Sequence, residues 1–379
     1  MVMQQRLIDE FFELVRTDSE TKQERAICDL LIRKFEALGL TVEEDDTAAK
    51  TGHAAGNLFA TWPATPGMED VAPFLFTGHM DTVAPGKGIQ PRVDDDGFIR
   101  SDGTTILGSD DKAGLAAMFE AIRVVNEQGL PHGRIQFVIT SGEESGLMGA
   151  RAMDPARLDA KYGFALDSDG KIGEICTAGP TQTKLRVTVI GKSAHAGVNP
   201  QDGISAITVA AKAISRMPLG RIDHETTANI GRFEGGGETN VVADHVVITA
   251  EARSLVNEKM TAQIAKMREA FDSATKEFGA TYDFQETYLY PAYKFDDDAP
   301  VVRVAADAFE SLGIPWSTFP SGGGSDANIF NGMGVPTVNL AIGYEHIHTP
   351  KEQIRVSDLV GAARMVVAII EQSTKVKVE

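Results

Sequence analysis

Two cysteines, Cys28 and Cys176, stand in a chain of 379 residues. They are too few for a disulfide framework and form no metal-binding pair. That scarcity fits a reducing compartment, and a cytoplasmic location is expected. Apolar runs of about 20 residues, long enough to span a bilayer, are also missing. The opening "MVMQQRLIDEFFELV" is broken by acids and polar residues where a signal peptide needs an unbroken apolar core. Positive charge is short too: 36 Lys and Arg against 54 Asp and Glu leave a net charge of −18. Phosphate backbones and anionic membranes repel such a chain, so neither nucleic acid nor membrane is expected as a partner. No repeat of solenoid period occurs.

What is present is an ordinary globular composition, 42% hydrophobic and 24% charged, in a length that suggests two or three domains. "QQRLIDEFFELV" places Leu7, Ile8, Phe11, Phe12 and Val15 on one helical face. In "TKQERAICDLLIRKFEALGL", Thr21 and Glu24 have capping-box spacing and Gly39 is a stop signal. The stretches "NLFATW", "FLFTGH", "RIQFVIT", "GFALD" and "PTVNLAI" read as strands, with helical segments such as "KAGLAAMFEAIRVVNEQG" between them. The alternation predicts an α/β fold, a twisted and mostly parallel sheet with helices on both faces. From Thr183 the order changes to β-α-β-β-α-β, a split βαβ pattern of ferredoxin-like type. Turn-rich stretches bound it. The expectation is an outer domain of residues 1–179 and 294–379 with an inserted domain of residues 180–293.

Four acid- or His-bearing segments follow the outer-domain strands. "FLFTGHMDTV" carries His79 and Asp81, "LGSDDKAG" carries Asp110 and Asp111, "TSGEESG" carries Glu143 and Glu144, and "FALDSDG" carries Asp167. After the insertion, "YEHIHTPKE" adds His346 and His348. His, Asp and Glu without Cys suit zinc, cobalt or manganese, and such a cluster at strand ends is the usual two-metal hydrolase arrangement. If the strand runs on through "HMD", His79 and Asp81 point the same way, so one can ligate while the other holds the imidazole from behind. Taken alone, "HMD" also reads as a strand ending on a hydrogen-bonded histidine, and "SDDK" as a capped helix start. "DSDG" fails the calcium-loop pattern because Lys171 occupies an acidic position. "SGGGSD" could form an anion-binding nest but lacks the lysine of a P-loop. "DDDGF" and "SDGTT" read as hairpin turns.

The segments "GHMDTV", "SDGTTILGSDDKAGLAAM", "LPHGRIQFVITSGEESGLMGA", "GKSAHAG" and "HTPKE" resemble, in this order, the peptidase T branch of a zinc-dependent family. That family also holds carboxypeptidase G, succinyl-diaminopimelate desuccinylase and the aminoacylases. The resemblance implies two divalent metal ions held by His79, Asp110, Glu144, Asp167 and His348, with Asp110 bridging both, and a cis peptide between Asp110 and Asp111. Asp81 would orient His79, and Glu143 would be the general base for a water acidified by the metals. It also implies that the insertion is a lid and homodimerisation domain, and that His195 polarises the scissile carbonyl in the partner subunit's site. Asn240, Arg253, Gly323 and Ser325 would bind substrate. Thr249, Glu251 and Arg253 share one strand face, so Arg253 also reads as a plain ion-pair partner of Glu251. The expected activity is hydrolysis of short peptides, tripeptides foremost, from the amino end. "ALDSDG" and "HIHTPKE" look closer to the carboxypeptidase and acylase branches, which makes N-acyl amino acids or blocked peptides the alternative.

Overall fold

A computed structural model describes residues 1–377. The chain divides into two compact units, one of residues 1–178, 295–321 and 325–379, the other of residues 179–294 and 322–324.

The first unit is built on a sheet whose four central strands run parallel: Ile135–Thr140, Phe74–His79, Tyr162–Ser168 and Thr337–Ala341, in that spatial order. Antiparallel strands Leu58–Trp62 and Thr41–Glu44 extend one side, and Glu174–Gly179 extends the other. Both faces of the sheet are buried. Phe74 and Phe76 point into one apolar cluster while Leu75 points into the other; Ile135, Phe137 and Ile139 alternate with Val138 in the same way. Such doubly covered strands read as continuous apolar runs with a hidden period of two. Helices Gln4–Arg16, Ser109–Gln128, Pro300–Ser311 and Val356–Ser373 cover one face, and the short helix Asp326–Gly332 packs on the other. The fold is therefore α/β with a parallel sheet centre and helices on both faces. A small sheet of Arg92–Val93, Phe98–Arg100, Gln353–Arg355 and Tyr344–Glu345 carries His348 in its Tyr344–Arg355 hairpin. "DDDGF" forms the turn between the first two of these strands, with Gly97 at φ +82°.

In the second unit the strands lie in the order Gly220–Arg221, Thr226–Gly235, His245–Ser254, Thr181–Ile190 and Thr281–Tyr290, all antiparallel. Helices Ala206–Arg216 and Asn257–Phe278 cover one face, with Val209, Ala213, Met267 and Phe271 packed on Leu185, Val187 and Ile248. The β-α-β-β-α-β order read from Thr183 onward is found, with the two-residue strand Gly220–Arg221 added after the first helix. Among the described residues, no helix is long and apolar enough to cross a membrane.

The expected capping box does not form. Glu24 precedes helix Arg25–Ala37 without a side-chain cap. Its carboxylate instead accepts from the N–H groups of Lys22 at 2.6 Å and Ala54 at 3.0 Å. Thr21 therefore makes no capping box; its hydroxyl donates to Asp81 at 2.7 Å. The spacing was right for a cap, but a buried carboxylate elsewhere competes for the hydroxyl.

Candidate active site

Parallel strands deliver their following loops to one edge of the sheet, and the acidic and imidazole groups gather there. His79 ends its strand and is buried. The strand stops at His79 instead of running through Asp81. The turn brings the main-chain oxygen of Asp81 to 2.9 Å from Nδ1, while its carboxylate stays at 3.6 Å. A carbonyl only accepts, so Nδ1 carries a hydrogen and Nε2 faces the cluster. Nε2 lies 2.9 Å from Asp110 Oδ1 and 3.5 Å from Asp167 Oδ1. On the other side, His348 Nε2 lies 3.3 Å from Asp110 Oδ2 and 3.1 Å from Glu144 Oε1. Asp110 thus presents one oxygen to each histidine.

Local structure explains these positions. Asp110 and Asp111 sit in the first turn of helix Ser109–Gln128 with non-helical φ/ψ, and the peptide between them is cis. Asp111 turns inward: its Oδ2 accepts from the His79 N–H at 3.2 Å, wedged between Gly78 and Gly114. Asp167 occupies a bulge, because the pairing of Tyr162–Ser168 with Thr337–Ala341 slips between Ala165 and Ser168. Asn339 fills that gap, accepting from Asp167 N–H at 3.0 Å and donating to its carbonyl at 2.6 Å. Tyr344 donates its hydroxyl to the Asp167 carboxylate at 3.1 Å. Glu143 and Glu144 follow Ile135–Thr140, and both of their N–H groups point at the Asp81 carboxylate, at 3.0 and 3.3 Å.

The charge balance favours bound cations. Burial pushes the Asp167 carboxyl up to about 7, His79 opposing and Asp110 adding to the rise. Burial, together with Asp167, Asp326 and Glu144, holds Glu143 well above the usual carboxylate range despite His79. Hydrogen bonds to Asp110 and Glu144 lift His348 to about 10. The metal-free cluster therefore keeps protons on groups that would ordinarily lack them, which is how surplus buried negative charge relaxes. His79, Asp110 and Asp167 form one group with ligand atoms within 4.8 Å of one another, and Asp110, Glu144 and His348 form another. The donor set, nitrogen and oxygen without sulfur, fits borderline divalent ions. His79, Glu143 and Glu144 also lie within that distance, so proximity alone does not separate the two glutamates; the bond from Glu144 to His348 does.

The remaining candidates are divided between the two units. His195 and Asn240 come together in the second unit: the Ala196 N–H donates to the Asn240 carbonyl at 2.9 Å, His195 bridges to Val241, and both side chains are exposed. Arg253 pairs with Glu251 at 2.9 Å and reaches the Gly322 carbonyl at 3.5 Å, next to Gly323. Ser325 forms a capping box with Asn328 at the start of helix Asp326–Gly332. In place of a pure amide nest, the "SGGGSD" stretch thus ends in a helix cap.

Several groups escaped sequence reading. Glu352, buried, accepts from the N–H groups of Leu107, Gly108 and Asp110 and from the Ser109 hydroxyl, at 2.6 to 3.1 Å. It stands four residues after His348, and that spacing was its only signal. Lys112, also buried, donates to Ser19 at 2.6 Å; burial lowers its pKa to about 8 against the pull of the surrounding carboxylates. Burial raises Asp326 to about 6, although Thr140 donates a hydrogen bond to it.

Comparison with known proteins agrees with this geometry. Residues 75–372 match peptidase family M20/M25/M40. The chain is 56% identical to the YqjE protein of Bacillus subtilis (strain 168), over 99% of this chain and 100% of that one. It superposes with a TM-score of 0.93 on an aminopeptidase PepT from Bacillus cereus ATCC 10987, at 61% identity, covering 98% of this chain and 99% of the other. A tripeptidase from Staphylococcus aureus subsp. aureus Mu50 gives a TM-score of 0.95 at 46% identity, covering 99% and 100%. With strand-end carboxylates and histidines arranged as two groups around one shared aspartate, and with these relatives matching end to end, the chain belongs to peptidase family M20/M25/M40 as a peptidase T-like hydrolase.

Proposed function

We propose that the protein is a di-metal aminopeptidase acting on short peptides, tripeptides foremost, and that zinc is its metal. The observation that carries the reading is the shared position of Asp110 between His79 and His348. His79, Asp110 and Asp167 would hold one cation, and Asp110, Glu144 and His348 the other. Bound there, the pair would polarise the scissile carbonyl and acidify a water. Glu143, with a carboxylate oxygen within 4.8 Å of ligand atoms of His79 and Glu144, would take the proton from the attacking water as its oxygen bonds to the carbonyl carbon and return it to the amine as the C–N bond breaks. Asp81 fixes the hydrogen on His79 Nδ1 and holds the N–H groups of both glutamates, so acid–base and ligand side chains are positioned together. Asn240, Arg253, Gly323 and Ser325 are assigned to substrate, Arg253 because a guanidinium fork suits a peptide carboxylate. His195 is assigned to the carbonyl oxygen, and the second unit to homodimer formation in the cytoplasm.

The test is a substitution pair assayed on di- and tripeptides, free or blocked at either end. Glu143→Ala should keep both metals and lose about 100-fold or more in kcat, within the range for a general base. Glu144→Ala should lose one metal. Normal turnover by metal-loaded Glu143→Ala, or preference for amino-blocked peptides, would overturn the proposal.

A further inference from the structure

The Asp81 carboxylate is fully buried and accepts from three neighbours. Two are the N–H groups of Glu143 and Glu144. The third is the Thr21 hydroxyl, 2.7 Å from Oδ2, with the Thr82 carbonyl a longer second acceptor at 3.4 Å. Thr21 precedes residue 75, where the family match begins. The segment around it is bound tightly to the loop after strand Phe74–His79. Thr21 N–H donates to the Thr82 carbonyl at 3.0 Å, and Thr82 N–H to the Ser19 carbonyl at 2.9 Å. Glu20 accepts from Gly86 N–H at 2.8 Å, Asp18 accepts from Gly88 N–H at 2.7 Å, and buried Lys112 donates to the Ser19 hydroxyl. Lys22 then turns with φ +74°, uncommon for a residue other than glycine. So many contacts on five residues hold the Thr21 hydroxyl on one side of a carboxylate whose other partners carry Glu143 and Glu144.

We propose that Thr21 is a positioning residue for the hydrolysis: its hydroxyl orients Asp81, and Asp81 in turn fixes the main chain of Glu143 and Glu144. The N-terminal segment thereby supplies part of the active site's support. Groups that hold a metal ligand in place typically change affinity or activity about 10- to 100-fold when lost; Asp81 is in that position and Thr21 stands behind it, so the lower end of that range applies. The inference rests on the peptidase reading given above.

The experiment compares Thr21→Val, which removes the donor at nearly constant volume, with Thr21→Ser, which keeps it. Thr21→Val should lower tripeptide kcat about ten-fold or more with KM little changed, and Thr21→Ser should recover most of it. In metal-free protein, amide hydrogen exchange at Glu143 and Glu144 should quicken in Thr21→Val and stay slow in Thr21→Ser. Thr21 is only half-buried, so Thr21→Ala is a usable second donor-free variant if the valine fails to fold. Wild-type kcat and exchange in the donor-free variants would overturn the proposal, as would Thr21→Ser falling as far as Thr21→Val. Wild-type protein and Glu143→Ala run alongside: an inactive wild type or an active Glu143→Ala would sink the peptidase reading, while the exchange comparison still judges Thr21.

Discussion

Gly114 lies inside helix Ser109–Gln128, where alanine ordinarily adds about 1 kcal/mol over glycine. Here a Cβ would stand 2.4 Å from Asp111 Oδ1 and 2.6 Å from the Leu166 carbonyl. A main-chain oxygen in a parallel strand cannot step aside cheaply, and overpacking of this kind costs about 1–3 kcal/mol. Gly114→Ala should therefore lower thermal stability in spite of its better helix propensity. It should also weaken metal binding, because Asp111 is tied to the His79 N–H. Thermal unfolding and a metal titration would check both; a stability gain would mean the clash relaxes. The same close packing explains why Asp111, beside Asp110 in sequence, serves a different purpose. Burial and the nearby Asp167 and Asp110 hold it well above the usual carboxylate range, and it braces a backbone instead of facing the cations.

Among elements, the decisive feature is that a hairpin from the end of the chain and a helix start from its middle share one carboxylate. Glu352 satisfies donors across residues 107–110 and lies just after the loop that carries His348. All four contacts are donors, so an amide in its place must turn its NH₂ toward some of them. Glu352→Gln should cost about 1–3 kcal/mol or more, the price of leaving buried donors unmatched. It should weaken the Asp110–Glu144–His348 cation group more than its thermal shift alone would suggest. Metal stoichiometry on dialysed protein would show this, and full loading with unchanged unfolding would refute it. Asn339 does a similar job at the Asp167 bulge, where it replaces the strand pairing that the bulge interrupts.

At the scale of the molecule, the acidic cluster makes metal content and stability depend on pH. Asp167 has an ordinary value of 3.8 and a folded value of about 7, so the metal-free fold binds an extra proton between them. Its stability therefore falls as pH rises through that window. His348, lifted from 6.5 to about 10, contributes fully below 6.5 and loses its contribution as pH rises through 10. Half-exposed as it is, it adds less than the buried aspartate. Cation binding expels these protons, so it strengthens with pH over the same range. The gap in Tm between metal-loaded and chelator-treated protein should widen from about pH 5 to about pH 8. A gap that stays constant with pH would mean that ion binding does not expel these protons.

The sequence by itself determined the strand–helix alternation, the change of order in the middle, and the placement of His79, Glu143, Glu144 and Asp167 at or just after strand ends; Asp110 comes instead from a helix start. Those follow from local periodicity and from the rule that loops after parallel strands meet at one edge. The family resemblance added which residue types pair with which metal group. Only the tertiary structure decided that Thr21 serves Asp81 instead of a helix cap, and that the Asp81 carbonyl, more than its carboxylate, sets the His79 tautomer. It alone placed Glu352 and Asn339 as supports. Apart from the Asp81–His79 contact, these join residues about 60 to 245 positions apart. Competition among several donors for one buried carboxylate is settled by distance in space, which spacing along the chain does not encode.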